Sequence, residues 1–413
     1  MTQAAGTIDT GIASSRASLP SPPNYWSYSS LKEVEACPRR YALARATYPD
    51  LWDGRGYPSL PSTPALFGDV VHGALEVVVK ALAEAGVESP QAVEATMVLR
   101  DLGGLTSVVE EMVTKKLAPL EGNPRLDLDR RRRIARELRA QTPDARVQVQ
   151  TYLSRTVFAP RPSGSSSMRD GSAAARGGAS ARRALGEGSH AEAVLVAEEL
   201  RLLGRIDLLT IAGESVDIAD YKTGVEAPGH HEQLRLYALL WDADRQSNPA
   251  RLATASLTAA YRDHDVDVPV PSSEDLDALR VSLSAQIERA DAELRLGVPT
   301  PLPSPANCEW CAVRHLCAAY WEGVTRELTA IGDGEWFDYE GRIGKQNGQR
   351  SWWVVDPETG IDQLLLRTTS STPPFAPGDH VRLLGLRYEL DPEAHTPVAL
   401  LTASSEVFQV VSS

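Results

Sequence analysis

Gly204-Arg205-Ile206-Asp207-Leu208-Leu209, followed after a short gap by Val216-Asp217-Ile218-Ala219-Asp220-Tyr221-Lys222-Thr223-Gly224, is the stretch from which the fold can be argued. Both pieces are short apolar runs bounded by glycine, and Ala212-Gly213-Glu214 between them is a turn. The pattern predicts two consecutive strands. Asp220 and Lys222 are two apart on the second strand, so their side chains leave the same face. If the strands pair as a hairpin, Asp207 sits beside them. Two carboxylates and an ammonium on a sheet surface suit a hard divalent cation such as Mg2+ or Mn2+, which takes oxygen ligands. The lysine can then orient a water for attack on phosphorus. The plainer alternative is a surface hairpin whose charges face solvent.

The 413 residues suffice for two or three domains. No apolar run reaches the roughly 18–20 residues of a membrane span. Residues 1–24 are rich in Ser, Ala, Thr and Pro and hold no apolar signal region. They are expected to be a loose, disordered tail, and the expected compartment is the cytoplasm. A net charge of −13 does not advertise a nucleic-acid partner, although local patches matter more than totals. One patch stands out: seven arginines at 125, 130, 131, 132, 133, 136 and 139 against Asp127, Asp129 and Glu137, a balance of +4. It fits a solvated helix face or a surface that tracks phosphates.

Along the chain, Ser29 or Ser30 with Glu33 reads as a capping box opening a helix that Pro38 ends just after Cys37. A helix is expected from Phe67 to about Gly86, with His72 in its first turns, and a lone histidine there is by default a packing residue. Residues 160–190, built of Ser, Gly, Ala and Arg, are expected to be a disordered insertion. A strand pattern resumes at Ala193–Leu200, where Glu198 or Glu199 could add a carboxylate, a solvated role being the default. His230–Trp241 is a helix with Gln233 and Tyr237 on one face. Ala253–Tyr261 reads as a strand and Ser273–Gly297 as a long polar helix.

The chain has four cysteines: Cys308, Cys311 and Cys317 crowd together, and Cys37 lies far upstream. In a cytosolic chain this reads as a metal site, for which zinc and an iron–sulfur cluster both fit. After about Ile331, six short alternating runs separated by Gly, Pro and Asp predict a small all-β barrel over 331–413, OB-like or SH3-like. Trp336, Phe337, Tyr339, Trp352 and Trp353 could stack on bases, at least half of them being expected in the core.

Taken in order, Ser-Leu…Cys37-Pro-Arg-Arg-Tyr, Gly-Asp-Val-Val-His72, Gly-Arg-Ile-Asp207, Asp220-Tyr-Lys222-Thr-Gly, Gln233-x3-Tyr237 and Cys308-x2-Cys311-x5-Cys317 resemble the PD-(D/E)XK nuclease superfamily. Within it they are similar to the RecB/AddB-like branch and to CRISPR-associated iron–sulfur exonucleases. The resemblance covers about residues 25–322 and leaves out the β region and the insertion. It implies a restriction-endonuclease-like α/β fold, a mixed sheet flanked by helices, for a nuclease domain over 25–325. It implies His72, Asp207, Asp220 and the Tyr221 carbonyl as Mg2+ or Mn2+ ligands, Lys222 as the catalytic lysine, and Gln233 and Tyr237 as supporting the site and contacting DNA. It implies Cys37, Cys308, Cys311 and Cys317 as ligands of a structural [4Fe–4S] cluster that staples the ends of the domain together. Asp220 stands where many relatives have Glu, and either ligates Mg2+.

The expected activity is hydrolysis of phosphodiester bonds in DNA, as an exonuclease on single-stranded or unwound DNA, in DNA repair or in defence against foreign DNA. No Walker-type Gly-x4-Gly-Lys-Ser/Thr occurs, so a helicase partner would be another chain. Two alternatives stay open: a non-catalytic DNA-binding subunit of a helicase–nuclease complex, and a zinc-stabilised interaction domain, which leaves the Asp-x-Lys hairpin without a purpose.

Overall fold

Along Ser215–Lys222, Val216 and Ile218 pack into one hydrophobic cluster while Ala219 and Tyr221 pack into another. A strand covered on both faces gives this alternation. The computed structural model, which describes residues 8–9, 17–49, 56–159, 183–323, 328–356, 360–370, 372–391 and 396–410, has this strand at the centre of a five-stranded sheet. Numbered in chain order after a short strand β1 (Ile8–Asp9), these are β2 (Gly188–Ala197), β3 (Leu202–Ala212), β4 (Ser215–Lys222), β5 (Ala253–Tyr261) and β6 (Asp265–Asp267), adjacent in that order. Neighbours pair antiparallel except β4 and β5, which are parallel and need a crossover.

Nine helices of eight residues or more, among the described residues, are named here in chain order: α1 (Tyr28–Ala36), α2 (Pro38–Arg45), α3 (Thr63–Glu84), α4 (Val93–Asp101), α5 (Leu105–Leu117), α6 (Leu128–Ala140), α7 (Thr142–Arg155), α8 (Pro228–Ala243) and α9 (Ser273–Arg295). The crossover is α8. Residues of α1, α2, α8 and α9 share a cluster with one sheet face, and those of α3 to α7 with the other. The result is a mixed sheet flanked by helices.

Local chemistry moved several expected boundaries. The cap of α1 is Ser27, whose hydroxyl accepts the Ser30 N–H while the Ser30 hydroxyl accepts the Ser27 N–H. Neither Ser29 nor Glu33 forms the box, because the helix starts a turn earlier. Pro38 opens the next helix, and Cys37 caps both, its Sγ accepting the Arg40 N–H at 3.4 Å. Ser62 caps α3, so His72 lies in mid-helix and not in the first turns. Of the stretch expected to be disordered, 160–182 lies outside the described residues, and from Gly188 the chain is already strand. Within the expected N-terminal tail, Ile8–Asp9 pairs in parallel with Phe408–Gln409.

The C-terminal strands are β7 (Trp336–Gln346), β8 (Ser351–Val355), β9 (Asp362–Thr368), β10 (His380–Glu389), β11 (Val398–Leu401) and β12 (Glu406–Gln409). Five of them close in the order β7-β8-β9-β11-β10-β7, with β9 and β11 parallel. β12 pairs outside that ring, on β10. Phe337 and Trp352 are buried in this barrel and Tyr339 packs against its core, whereas Trp353 is half-buried and Trp336 exposed.

The arginine-rich segment has a use that neither sequence alternative foresaw. Arg125 is buried and reaches the barrel: Nε and Nη2 donate to Glu406 Oε1 and Oε2 at 2.9 and 2.7 Å. Its Nη1 donates to the carbonyls of Pro58 and Ala312 at 2.7 and 2.8 Å. Arg130 donates to the carbonyls of Ala403 and Ser405 at 2.7 and 3.0 Å. Two of the seven arginines therefore fasten the barrel, while Arg132, Arg133, Arg136 and Arg139 remain exposed.

Candidate active site and cysteine centre

The backbone ladder between β3 and β4 ends at Leu208 opposite Ala219. One residue further on, the Asp207 side chain takes over the role of a strand carbonyl: its Oδ2 accepts the Tyr221 N–H at 2.6 Å. The hairpin thus opens at Asp207, and β4 continues alone against β5 as far as Lys222 opposite Tyr261. Period-2 geometry puts Asp220 and Lys222 on the face that α8 covers.

Gly204 explains how α8 gets there. A Cβ at this position would meet Leu240 Cδ2 at 2.7 Å and Tyr237 Cε1 at 3.0 Å, so only a bare backbone lets helix and strand approach so closely. Lys222 Nζ then donates to Gln233 Oε1 at 2.8 Å, and Gln233 Nε2 donates to the Tyr237 hydroxyl at 2.7 Å. Lys222 also forms an ion pair with Asp220. From the other face α3 brings His72, with Nδ1 4.0 Å from Asp207 Oδ2. Gly68 permits this approach, since a Cβ there would lie 2.8 Å from Thr223 Oγ1.

Burial and the Asp220 charge push the Asp207 carboxyl well above the ordinary carboxylate range, against the opposing Tyr221 N–H. Desolvation lowers the pKa of His72, which favours the neutral imidazole with its lone pair available. Glu192 escaped the sequence analysis. It sits on β2 between the pairs Ala191–Leu208 and Ala193–Ile206, hence opposite Asp207, with φ +54°. Burial, followed by the charge of Glu76, raises its pKa, and Asp220 adds to that rise. Arg205 Nη1 donates to its Oε2 at 3.1 Å. The strand register would have revealed it, but register is not written in one strand. Glu198 and Glu199, weighed as extra carboxylates, are exposed in the turn after β2.

Among the described residues, no three His, Cys, Asp or Glu side chains are already gathered as ligands of one ion. The donor chemistry nevertheless fits a hard cation. Asp207 and Asp220 crowd negative charge into a buried space, and Asp220 Oδ2, although paired with Lys222, accepts no well-directed hydrogen bond. A divalent ion would relieve both strains.

The cysteines lie elsewhere, where α1 and α2 meet residues 299–317. Arg39 N donates to Thr300 O at 3.2 Å and Arg39 Nε to Pro299 O at 2.8 Å, while Asn307 Nδ2 donates to Ala36 O at 2.8 Å. Cys37, Cys308 and Cys311 are buried and Cys317 partly so. Burial raises the Cys311 and Cys317 thiols; the N–H groups of Val313 and Tyr320 oppose the rise, and the charges of Cys37 and Cys308 add to it. Cys37 and Cys308 are therefore within electrostatic reach of both Cys311 and Cys317, and each of Cys37, Cys311 and Cys317 lies beside a backbone N–H donor.

The loop between Cys311 and Cys317 is also where the barrel rests. His315 is fully buried, its ring stacked on Phe408 with centroids 3.7 Å apart and its Nε2 2.6 Å from the Tyr57 hydroxyl. Arg314 forms an ion pair with Asp338, which also accepts from the Tyr320 hydroxyl at 2.8 Å. Arg382 Nη1 donates to His315 O at 2.5 Å.

A model of the PD-(D/E)XK nuclease superfamily matches residues 25–318. No curated protein matches the chain. Among the described residues no helix is long and apolar enough to cross a membrane.

Proposed function

The chain belongs to the PD-(D/E)XK nuclease superfamily, whose members are typically nucleases, and on that premise we propose that it is a divalent-metal-dependent deoxyribonuclease acting on single-stranded or unwound DNA from its ends. The observation that carries this reading is the contact chain Asp220–Lys222–Gln233–Tyr237 facing Asp207. A structural hairpin would have no use for a largely covered lysine held between a carboxylate and an amide.

Asp207, Asp220, the Tyr221 carbonyl and His72 are the groups that would hold Mg2+ or Mn2+, which when bound supplies charge stabilisation at the phosphoryl oxygens. Lys222 keeps its ammonium directed by Asp220 and Gln233, so that it orients the attacking water without first having to reorganise. Tyr237 fixes the Gln233 amide, which leaves the amide oxygen turned toward Lys222. Desolvation lowers the His72 pKa, which favours the neutral imidazole with its nitrogen lone pair over a repelling charge.

Cys37, Cys308, Cys311 and Cys317 are read as ligands of a [4Fe–4S] cluster, in support of a place in the RecB/AddB-like branch. The N–H groups beside three sulfurs and the neighbouring Arg39 and Arg40 suit an anionic thiolate cluster. The closed strand order, with β9 and β11 parallel, supports an OB-like barrel, and half-buried Trp353 on β8 offers a surface for stacking a base. Unwinding would come from a separate helicase, in DNA repair or in defence against foreign DNA.

The test is cleavage of end-labelled single- and double-stranded DNA by anaerobically purified protein in Mg2+, Mn2+ or EDTA, beside Lys222→Ala. Metal-dependent cutting that the variant loses supports the reading; equal cutting by both proteins refutes it. Iron and sulfide analysis against zinc decides the cluster.

A further inference from the structure

Lys116 lies in the last turn of α5, a helix that carries none of the sequence motifs. α5 packs on α3 at one very close point. A Cβ on Gly73, the residue after His72, would lie 2.6 Å from Met112 Sδ and 3.0 Å from Met112 Cε. The Met112 side chain thus lies over Gly73, where a methyl would have to displace its flexible end, and Lys116 is one turn beyond Met112 on the same side of α5. The two helices thus bring the Lys116 ammonium to the His72 side of the site, where its charge acts on the imidazole together with those of Asp220, Lys222 and Asp69.

Lys222 is engaged by Asp220 and Gln233. Lys116, by contrast, is half-exposed and takes part in no ion pair among the described residues. The site it borders is rich in carboxylates: Asp69 and Asp220 act on His72, Glu76 and Asp220 on Glu192, and Asp220 and Glu192 on Asp207. A polyanionic strand entering such a space meets repulsion unless cations line the entrance. A flexible ammonium at the rim, with no internal partner, is suited to a phosphate as a point charge.

We propose that Lys116 is a second phosphate-binding lysine of this site, holding the backbone of the bound DNA strand next to the scissile group. This rests on the nuclease reading for the identity of the strand, and it adds a substrate-positioning residue that no sequence motif contains.

The experiment measures binding of a fluorescein-labelled single-stranded oligonucleotide to the full-length protein by fluorescence anisotropy in EDTA over a salt series. Wild type, Lys116→Ala, Lys116→Arg and Lys115→Ala are compared, with circular dichroism to verify folding. Lys116→Ala is expected to weaken binding about fivefold at low salt and to flatten the log–log salt dependence by ~0.7, the share of one phosphate contact on a single strand. Lys116→Arg is expected to restore most of the affinity, and Lys115→Ala, one residue away and exposed, to behave as wild type. In cleavage assays Lys116→Ala raises KM and leaves kcat in place. Wild-type affinity and slope in Lys116→Ala would overturn the proposal, as would an equal loss in Lys115→Ala. If the wild type binds the strand in this lysine-dependent way yet never cuts it in Mg2+ or Mn2+, Lys116 stands and the nuclease reading falls. If the wild type binds no strand, both fall.

Discussion

At the opening of the β3–β4 hairpin, Asp207 and Asp220 stand close together under burial, with Lys222 as their nearest counter-charge. At the seam between the cysteine loop and the barrel, Arg125 is equally buried, but both its flanks are matched. Two nitrogens meet the two oxygens of Glu406, and the third meets two carbonyls. The first region keeps an excess of negative charge that its own side chains do not neutralise, whereas in the second all three nitrogens of the central arginine's guanidinium are engaged. Buried charge without full compensation costs stability and marks a place where something else binds. Buried charge fully compensated fixes geometry, and removing one partner is what hurts. The two regions therefore should fail differently when mutated: one in chemistry, the other in cohesion.

The largest effect is expected from Lys222→Ala. Losing the ammonium should reduce cleavage by about a thousandfold or more while the melting temperature stays near that of the wild type. A fall of the melting temperature in step with activity would erase the contrast. Arg125→Met should do the reverse: Glu406 and two carbonyls lose their partner, at about 3–5 kcal/mol of stability. Hydrogen exchange should report this loss at residues 311–317, β10 and β12, with exchange across β3–β5 little changed. Protection falling uniformly over the chain would show that the seam is not a separate unit.

Gly204→Ala tests the link between strand and helix. The added methyl must displace Leu240 and the Tyr237 ring, with overpacking of about 1–3 kcal/mol, and Gln233 should lose its hold on Lys222. Cleavage is expected to drop more steeply than stability, measured as kcat beside thermal unfolding. The smallest effect concerns Asp207 and has a defined sign. Its carboxyl titrates higher in the folded protein than in the unfolded chain, so the native state keeps a proton that the unfolded state has lost. Stability from this group is then full below the unfolded value and falls as pH rises toward the folded one. Asp207→Asn should therefore raise the metal-free melting temperature at pH 8 while leaving it unchanged at pH 4. Mn2+ should raise that of the wild type at pH 8 and of the variant hardly at all. A variant less stable than wild type at pH 8 without metal would show that Asp207 is neutralised internally.

Much of the sheet was legible because it depends on short-range regularities. Alternation along Val216–Lys222 fixes which side chains share a face, and Gly213 marks the turn between β3 and β4, whereas β3 begins two residues before Gly204. The ordered motifs also singled out Asp207, Asp220, Lys222, Gln233 and Tyr237, which the structure brings together. Capping was less legible: any of Ser27, Ser29 and Ser30 can cap a helix, and the choice of Ser27 depends on how Trp26 is anchored. Trp26 is fully buried, and its Nε1 donates to Asp291 Oδ1 at 3.0 Å, a contact with the far end of the domain.

By itself the sequence determined which residues could carry chemistry, since Asp-x-Lys on a strand and Cys-x2-Cys-x5-Cys have their chemical meaning within a few positions of one another. It determined the change to a β barrel after residue 330 for the same reason, because period-2 patterning is local. Only the tertiary structure decided that Glu192 lies opposite Asp207, that Lys116 reaches the His72 side of the site, and that Arg125 holds Glu406 from 281 positions away. A solvated arginine and a buried, paired one look alike in sequence, because what separates them is desolvation by segments distant along the chain, and that exists only once the chain has folded.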